Sequence, residues 1–421
     1  MMKTYFFLSL SFLFLFSCNS SQKKVQTSPN MGIWRAELQR EKVVLPFNFT
    51  LVDSEKVQIH NASERLPMNY FFKNDSIHIK SPIFDSEIIA KIEENGTKMK
   101  GFWHNRARKD KNRIPFSAEA GVSYRFKGES ETTQVHFQAG GRWSVTFDVY
   151  SNAPYDAIGE FEQKGNILTG TFLTETGDYR FLQGYVKEDE LFLTCFDGSH
   201  AFYFSAMLHA AKAGAAQFLL DRGVFYSGLH HYEQWEAMRD SSSMHNLRPA
   251  DTLTHLKKGY EAFTFSFPNV EKKQVSLQDA KYKNKAVIVQ LMGSWCPNCM
   301  DETAYLAELH KKYNDKGLEI IGLAYERSND FDKAAAAVKR IQTHFNAQYD
   351  FLIAGTSNKE DAANTLPMLN HIMAYPTTIF VDKKGKVRKI HTGFSGPATG
   401  KHYQTFTQET EAFLEKLLAE K

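Results

Sequence analysis

From Gly32 to about Asp240, apolar side chains recur at every second residue in short runs. Leu168, Gly170 and Phe172 show the alternation, as do Leu191, Leu193 and Cys195. A period of two puts successive side chains on opposite faces of a strand. The breaks between runs, such as Glu94-Asn95-Gly96, Lys164-Gly165-Asn166 and Thr176-Gly177-Asp178, are made of turn-forming residues. The pattern predicts an all-β region over residues 31–240, built of meanders that close as one barrel or stack as a sandwich. Two internal echoes point to two meander halves. "GIWRAEL" at 32 matches "GRWSVTF" at 141, and "GTKMKGFWHN" at 96 matches "GNILTGTFLT" at 165.

Residues 241–260 are polar without a period and read as a linker. Beyond them the texture changes. "KAVIVQLMG" at 285–293 is continuously apolar, as for a strand covered on both faces. Residues 302–317 have helical spacing and stop at a glycine, 318–326 form a second buried strand, and 331–345 a second helix. Residues 376–393 read as a hairpin turning at Lys383-Lys384-Gly385, and 405–420 as a closing amphipathic helix. This alternation describes an α/β layer domain over 261–421.

A chain of 421 residues exceeds one ordinary core, in keeping with several domains. Its net charge of +3, without interleaved basic and aromatic residues, offers no case for a nucleic-acid partner. The first residues bear on location. One Lys precedes an apolar run from Tyr5 to Phe16, too short to span a bilayer but of signal-peptide length. Leu15-Phe16-Ser17-Cys18 resembles a bacterial lipobox. The resemblance implies that 1–17 is a signal peptide and that Cys18 becomes a lipid-carrying N-terminus, followed by a flexible tether over 18–30. Nothing at Asn19 or Ser20 resembles an inner-membrane retention signal. The expected location is the cell envelope, lipid-anchored to the outer membrane and facing the periplasm.

The four cysteines are Cys18, Cys195, Cys296 and Cys299. Cys195, in an apolar strand, reads as a buried small residue. Cys296 and Cys299 have half of a zinc motif, but a structural zinc takes four ligands. No further cysteine lies in that domain, and His310, His344, His371, His391 and His402 are scattered, so no metal is expected. The pair sits where a buried strand ends and a helix begins. There, free backbone N–H groups stabilise a thiolate on Cys296. Pro297 suits the first helical position, and Cys299, one turn in, can resolve a mixed disulfide. Trp295 either shields the cysteines or packs. No flavin or nicotinamide fingerprint appears, so no cofactor is expected.

"GSWCPNC" at 293–299 and "YPTTIFVD" at 375–382, in this order, resemble the TlpA/ResA branch of the thioredoxin-like thiol–disulfide oxidoreductases. The appended β region resembles that of Bacteroidetes-like lipoproteins. The resemblance covers residues 260–421 and implies a thioredoxin-like fold with a redox-active Cys296–Cys299 disulfide. It also implies that Pro376 is cis and faces Cys296, although an X–Pro bond is ordinarily trans. Trp295, Pro297, Asn298, Tyr375 and Thr377 would flank the site. Six residues before Cys296, where thioredoxins carry a buried acid, stands Gln290, which cannot titrate. Glu302 matches a glutamate of ResA-like reductases and lies one turn past Cys299, so it is the expected proton acceptor. Asp301 points about 100° away around the helix and is expected to be dispensable. Residues 327–374 exceed a minimal thioredoxin, so an insertion should flank the site. Phe394-Ser395-Gly396-Pro397 is either a substrate-facing loop or a plain turn. The implied function is reduction of protein disulfides, with electrons from a membrane donor. A proline between the cysteines also occurs in oxidising enzymes, so an oxidase or isomerase stays open. So does a binding lipoprotein whose β domain carries the main function.

Overall fold

The computed structural model describes residues 28–107, 113–210, 218–239, 247–260 and 262–420. The expected signal peptide, Cys18 and most of the tether lie outside them. The β-rich region is all-β, and it closes twice rather than once. Eight antiparallel strands, from Gly32–Gln39 to Arg113–Ala120, form a first barrel, closed by pairing of its first and last strands. A second barrel runs from Gly141–Phe147 to His231–Arg239, and Gly141–Phe147 closes it by pairing with both Tyr155–Lys164 and His231–Arg239. Eight strands enclose an interior that side chains just fill, whereas all these strands in one barrel would surround an open lumen. Phe47, Phe49, Trp103 and Phe116 fill the first interior; Phe147, Phe172, Phe204 and Trp235 fill the second.

The first echo has a structural basis. Gly32 and Gly141 open the first strand of their barrels at φ +98° and +112°, values that favour glycine. Two residues on, Trp34 and Trp143 are fully buried, and each indole N–H donates to the carbonyl four residues back, Asn30 O and Ala139 O, at 2.8 Å. The second echo has none. It joins Lys98–Asn105, next to last in the first barrel, to Ile167–Thr174, third in the second. Shared strand alternation alone explains that match. Arg125 pins the barrels together, donating to Thr194 O at 3.1 Å and to His60 O.

The C-terminal domain is built on a five-stranded sheet ordered Asp350–Thr356, Leu318–Glu326, Ala286–Met292, Thr377–Val381, Val387–Thr392. The first three strands are parallel and the last two form an antiparallel hairpin. Every residue of Ala286–Met292 and Leu318–Glu326 is buried, as their unbroken apolar runs require once helices cover both faces. Helices Pro297–Tyr313, Phe331–His344 and Lys401–Ala419 supply the cover. The long stretch after Arg327 adds the edge strand Asp350–Thr356 and the helix Lys359–Thr365. Residues 250–257 run along this domain: Asp251 pairs with His391 at 2.7 Å and Lys389 at 3.1 Å, and Lys257 N donates to Met368 O. Among the described residues no helix is long and apolar enough to cross a membrane.

Candidate active site

Strand Ala286–Met292 leads into helix Pro297–Tyr313 through Gly293, Ser294 and Trp295. Two anchors hold this turn to the next strand. Ser294 donates through its N–H and its hydroxyl to the buried Glu326 carboxylate at 2.8 and 2.6 Å. Trp295 Nε1 donates to Tyr325 O at 3.0 Å. Cys296 is the N-cap residue, and its sulfur accepts from Cys299 N at 3.2 Å. Pro297 takes the first helical position, where no N–H is needed. Cys296 and Cys299 are disulfide-bonded, their Cα atoms 5.2 Å apart. Cys296 is 7% exposed and Cys299 fully buried.

The Tyr375–Pro376 bond is cis, and Tyr375 O lies 3.4 Å from Cys296 Sγ. Trp295 meets Tyr375 edge to face at 5.8 Å, and Thr377 Oγ1 donates to Ala374 O at 2.9 Å across the bend. The fold thus brings Tyr375, and with it the cis bond to Pro376, against the sulfur of Cys296 from a segment some eighty residues away.

Glu302 lies beneath them, 1% exposed. Gln290 Nε2 donates to its Oε2 at 2.8 Å, and Thr378 Oγ1 to its Oε1 at 2.6 Å. Burial pushes the carboxyl up to about 7, while the two neutral donors oppose that rise. Gln290 also reaches Cys299 O at 3.4 Å, and Thr303 Oγ1 donates to the same oxygen at 2.7 Å. Gln290 therefore occupies the place of an acid and holds one. Thr378 and Thr303 were not legible as site residues. The only signal for Thr378 is the two-residue spacing from Pro376, which puts it on the next inward face of the strand.

Residues 257–405 match the Redoxin family. ResA of Bacillus thuringiensis subsp. konkukian, a thiol-disulfide oxidoreductase, is 32% identical over 129 residues, 31% of this chain and 66% of its own length. The chain therefore spans just under two thirds of the first curated relatives it matches. The thioredoxin-like protein YneN of Bacillus subtilis is 28% identical over 138 residues, 33% of this chain and 73% of its own. Among solved structures, a thioredoxin-family thiol:disulfide interchange protein from Chlorobium tepidum aligns at 20% identity with a TM-score of 0.30, over 39% of this chain and 99% of its own. The C-terminal domain is a thioredoxin-like Redoxin domain.

The other side of the active-site helix faces the second barrel. Asn298 Nδ2 donates to Asp178 O at 3.2 Å, and Ser199 Oγ to Trp295 O at 3.2 Å. Asp178 Oδ2 accepts from Gly396 N at 2.7 Å, which draws the Phe394–Pro397 loop of the Redoxin domain against the barrel. Burial pushes the Asp178 carboxyl up to about 6. Asp301 points away from Glu302, as its helical position requires, but it has a partner. Arg180 of the second barrel pairs with Asp301 and, at 2.6 Å, with Glu64 of the first barrel. One buried guanidinium thus ties three units together beside the cysteines. Nothing in the spacing of Arg180 or Ser199 marks them, because both belong to loops whose neighbours are set by docking.

Proposed function

We propose that the chain is a lipid-anchored, extracytoplasmic thiol–disulfide oxidoreductase that reduces protein disulfides through Cys296 and Cys299. The observation that carries this reading is the helix terminus. Cys296 caps it, Cys299 follows one turn in, and a buried Glu302 titrating near neutrality comes one turn later. In the reduced protein the free N–H groups of that terminus stabilise negative charge on Cys296 Sγ. The thiolate attacks one sulfur of a substrate R–S–S–R′. A Cys296–S–S–R bond forms, the substrate bond breaks, and R′S⁻ leaves and takes up a proton. Glu302 accepts the proton of Cys299, whose sulfur attacks that of Cys296. RS⁻ departs and is protonated. Two electrons have passed from the cysteine pair to the substrate, one proton has come from Cys299 by way of Glu302 and one from solvent, and the Cys296–Cys299 disulfide remains. A dithiol protein of the membrane returns the two electrons. Support for the anchor is the apolar run ending at Cys18 and the polar tether after it.

A Cys299→Ser variant should trap substrate as a mixed disulfide through Cys296; trapping by Cys296→Ser instead would reverse the roles. The reduction potential separates the reductase from the oxidase that Pro297 leaves open. A value near thioredoxin, about −270 mV, supports reduction; one near DsbA, about −120 mV, overturns it. Cys18→Ala should release the protein from membranes, and unchanged partitioning would refute the anchor.

A further inference from the structure

The strands of the first barrel alternate in direction, so each rim collects one end of every strand. One rim carries the start of Gly32–Gln39 and the ends of Val44–Leu51 and Glu64–Lys73; the other carries the turns at 61–64 and 81–86. The second of these rims is docked on the redox machinery. Glu64 pairs there with Arg180, the partner of Asp301. Phe84 is buried in the Redoxin core. Asn105 Nδ2 donates to the carbonyl of Ser199 at 2.9 Å, and the Ser199 hydroxyl donates in turn to Trp295 O.

The first rim is where exposed apolar side chains gather. Among the described residues five large hydrophobic side chains without a hydroxyl stand exposed: Met31 at 53%, Val52 at 48%, Phe71 at 44%, Phe72 at 38% and Met238 at 44%. The first four lie on this rim, and they are neighbours. Gly32 pairs with Leu51, which places Met31 beside Val52. Tyr70 ties the loop after Val52 to the next hairpin, its N–H donating to Glu55 O at 2.7 Å and its hydroxyl to Asp53 O at 2.9 Å. Lys56 pairs with Asn69, so residues 70–73 run on past the adjoining strand and carry Phe71 and Phe72 to a projecting tip. The described chain also enters at this rim, where Asn30 N donates to Gly96 O at 2.9 Å.

We propose that this rim rests on the surface of the phospholipid bilayer that holds the acyl chains of Cys18, and that the first barrel is a spacer turning Cys296 away from the lipid. The proposal rests on the lipid-anchor reading and adds an orientation to it. Reach is the first argument. Cys18 and Ser28 are ten positions apart, and such a stretch spans at most ~35 Å, so anchor and rim share one patch of membrane. Clustering is the second. Single exposed hydrophobic residues are ordinary on a protein surface, whereas four side by side at one end of a barrel form a patch that a partner covers. Charge is the third. Three lysines of the rim, Lys56, Lys91 and Lys98, are already paired, with Asp53 at 3.9 Å, Asp75 at 3.1 Å and Glu94 at 2.9 Å. The rim therefore relies on apolar contact rather than on attraction to anionic lipid, and its carboxylates hold it at the headgroups while the four side chains enter the interface. Strands of about eight residues, tilted by about 40°, make the barrel ~20 Å tall, so Cys296 stands at least that far from the headgroups. The dithiol that reduces it again must then be carried on a donor domain that projects from the membrane.

The test uses the full-length lipidated protein in phosphatidylcholine vesicles, prepared with and without brominated acyl chains, which quench indoles at the bilayer. Phe72→Trp puts an indole on the rim, and Tyr260→Trp puts one at an exposed position of the Redoxin domain. Emission from the first added indole should fall at least ~2-fold in brominated vesicles, and emission from the second should not change. Val52→Asp, introduced into the Phe72→Trp protein at an exposed position, should remove most of that quenching. Phosphatidylglycerol in the vesicles should leave it unchanged. Vesicle-bound protein in which the rim indole is not quenched, is quenched no more than the Tyr260→Trp indole, is quenched only with phosphatidylglycerol, or is indifferent to Val52→Asp overturns the membrane-facing rim and leaves the anchor standing. Wild-type protein that does not float with the vesicles overturns the anchor, and the rim with it.

Discussion

The two sides of the active-site helix carry adjacent carboxylates, both withdrawn from water and neutralised by different means. Glu302 faces the Redoxin core and meets an amide and a hydroxyl, so no positive charge compensates it. Asp301 faces the barrels and meets the Arg180 guanidinium. Burial without a countercharge leaves a carboxyl that exchanges its proton near pH 7, a group fit for acid–base work. Burial with a countercharge leaves an ion pair whose removal costs more than its presence gains. One residue along a helix is enough to divide chemistry from assembly, because 100° of rotation decides which unit a side chain meets.

Arg180→Met should break this contrast most severely. It leaves Glu64 and Asp301 as half-buried carboxylates without a countercharge, Glu64 keeping only the Asn61 amide, a loss of about 2–3 kcal/mol. Thermal unfolding should fall accordingly, and at a pH low enough to protonate both carboxylates the variant should recover part of the loss. A melting temperature equal to that of the wild type would show that the pair carries no weight. Asp301 would then be as dispensable as its helical position alone suggests.

Glu302→Gln should act on rate rather than assembly. We expect the resolving step to slow by about 100-fold at pH 8 and to lose its rise through pH 7. Stability supplies an independent reading. The folded carboxyl titrates at about 7 against an ordinary 4.5, so as pH rises the unfolded chain gives up its proton first. Between those values stability falls with rising pH, by up to about 3 kcal/mol, and it is fully present only below the lower one. Urea titrations at pH 5 and pH 8 should show the loss in the wild type and a smaller one in the variant. Identical slopes would mean that Glu302 does not hold a proton at neutral pH.

Thr378→Val is the mildest change. It deletes the 2.6 Å donor to Glu302 and nothing on the Asp301 side. The carboxylate form is weakened, so the midpoint of the pH–rate profile should move up by about one unit with little effect on the barrel interface. A midpoint that moves down would place the controlling charge elsewhere.

Legibility followed range. Cys296, Pro297 and Cys299 could be read because a strand end, a helix start and two thiols lie within a few residues, and helix geometry alone then orders them. Glu302 was expected from its place one turn past Cys299 and from the ResA-like pattern, and it stands buried between Gln290 and Thr378. The alternation over 31–240 named the strands, and the matched Gly32–Trp34 and Gly141–Trp143 pairs marked where each meander begins. The strand Asp350–Thr356 went unread, since a short edge strand ending in Gly355 and Thr356 carries little periodicity. Asp301 was read by direction and missed by partner.

What the chain determined by itself is therefore local: two meanders, a strand–helix redox turn with its thiols in order, and an acid one turn beyond them. Tertiary structure decided how many barrels the meanders close into, because closure depends on strand count against the volume of the side chains within. It also decided that Glu302 is buried, that Tyr375 O reaches Cys296, and that Arg180 and Ser199 stand over the active-site turn. Each of these joins residues scores of positions apart, and no period or spacing along a chain records which loop will dock on which helix.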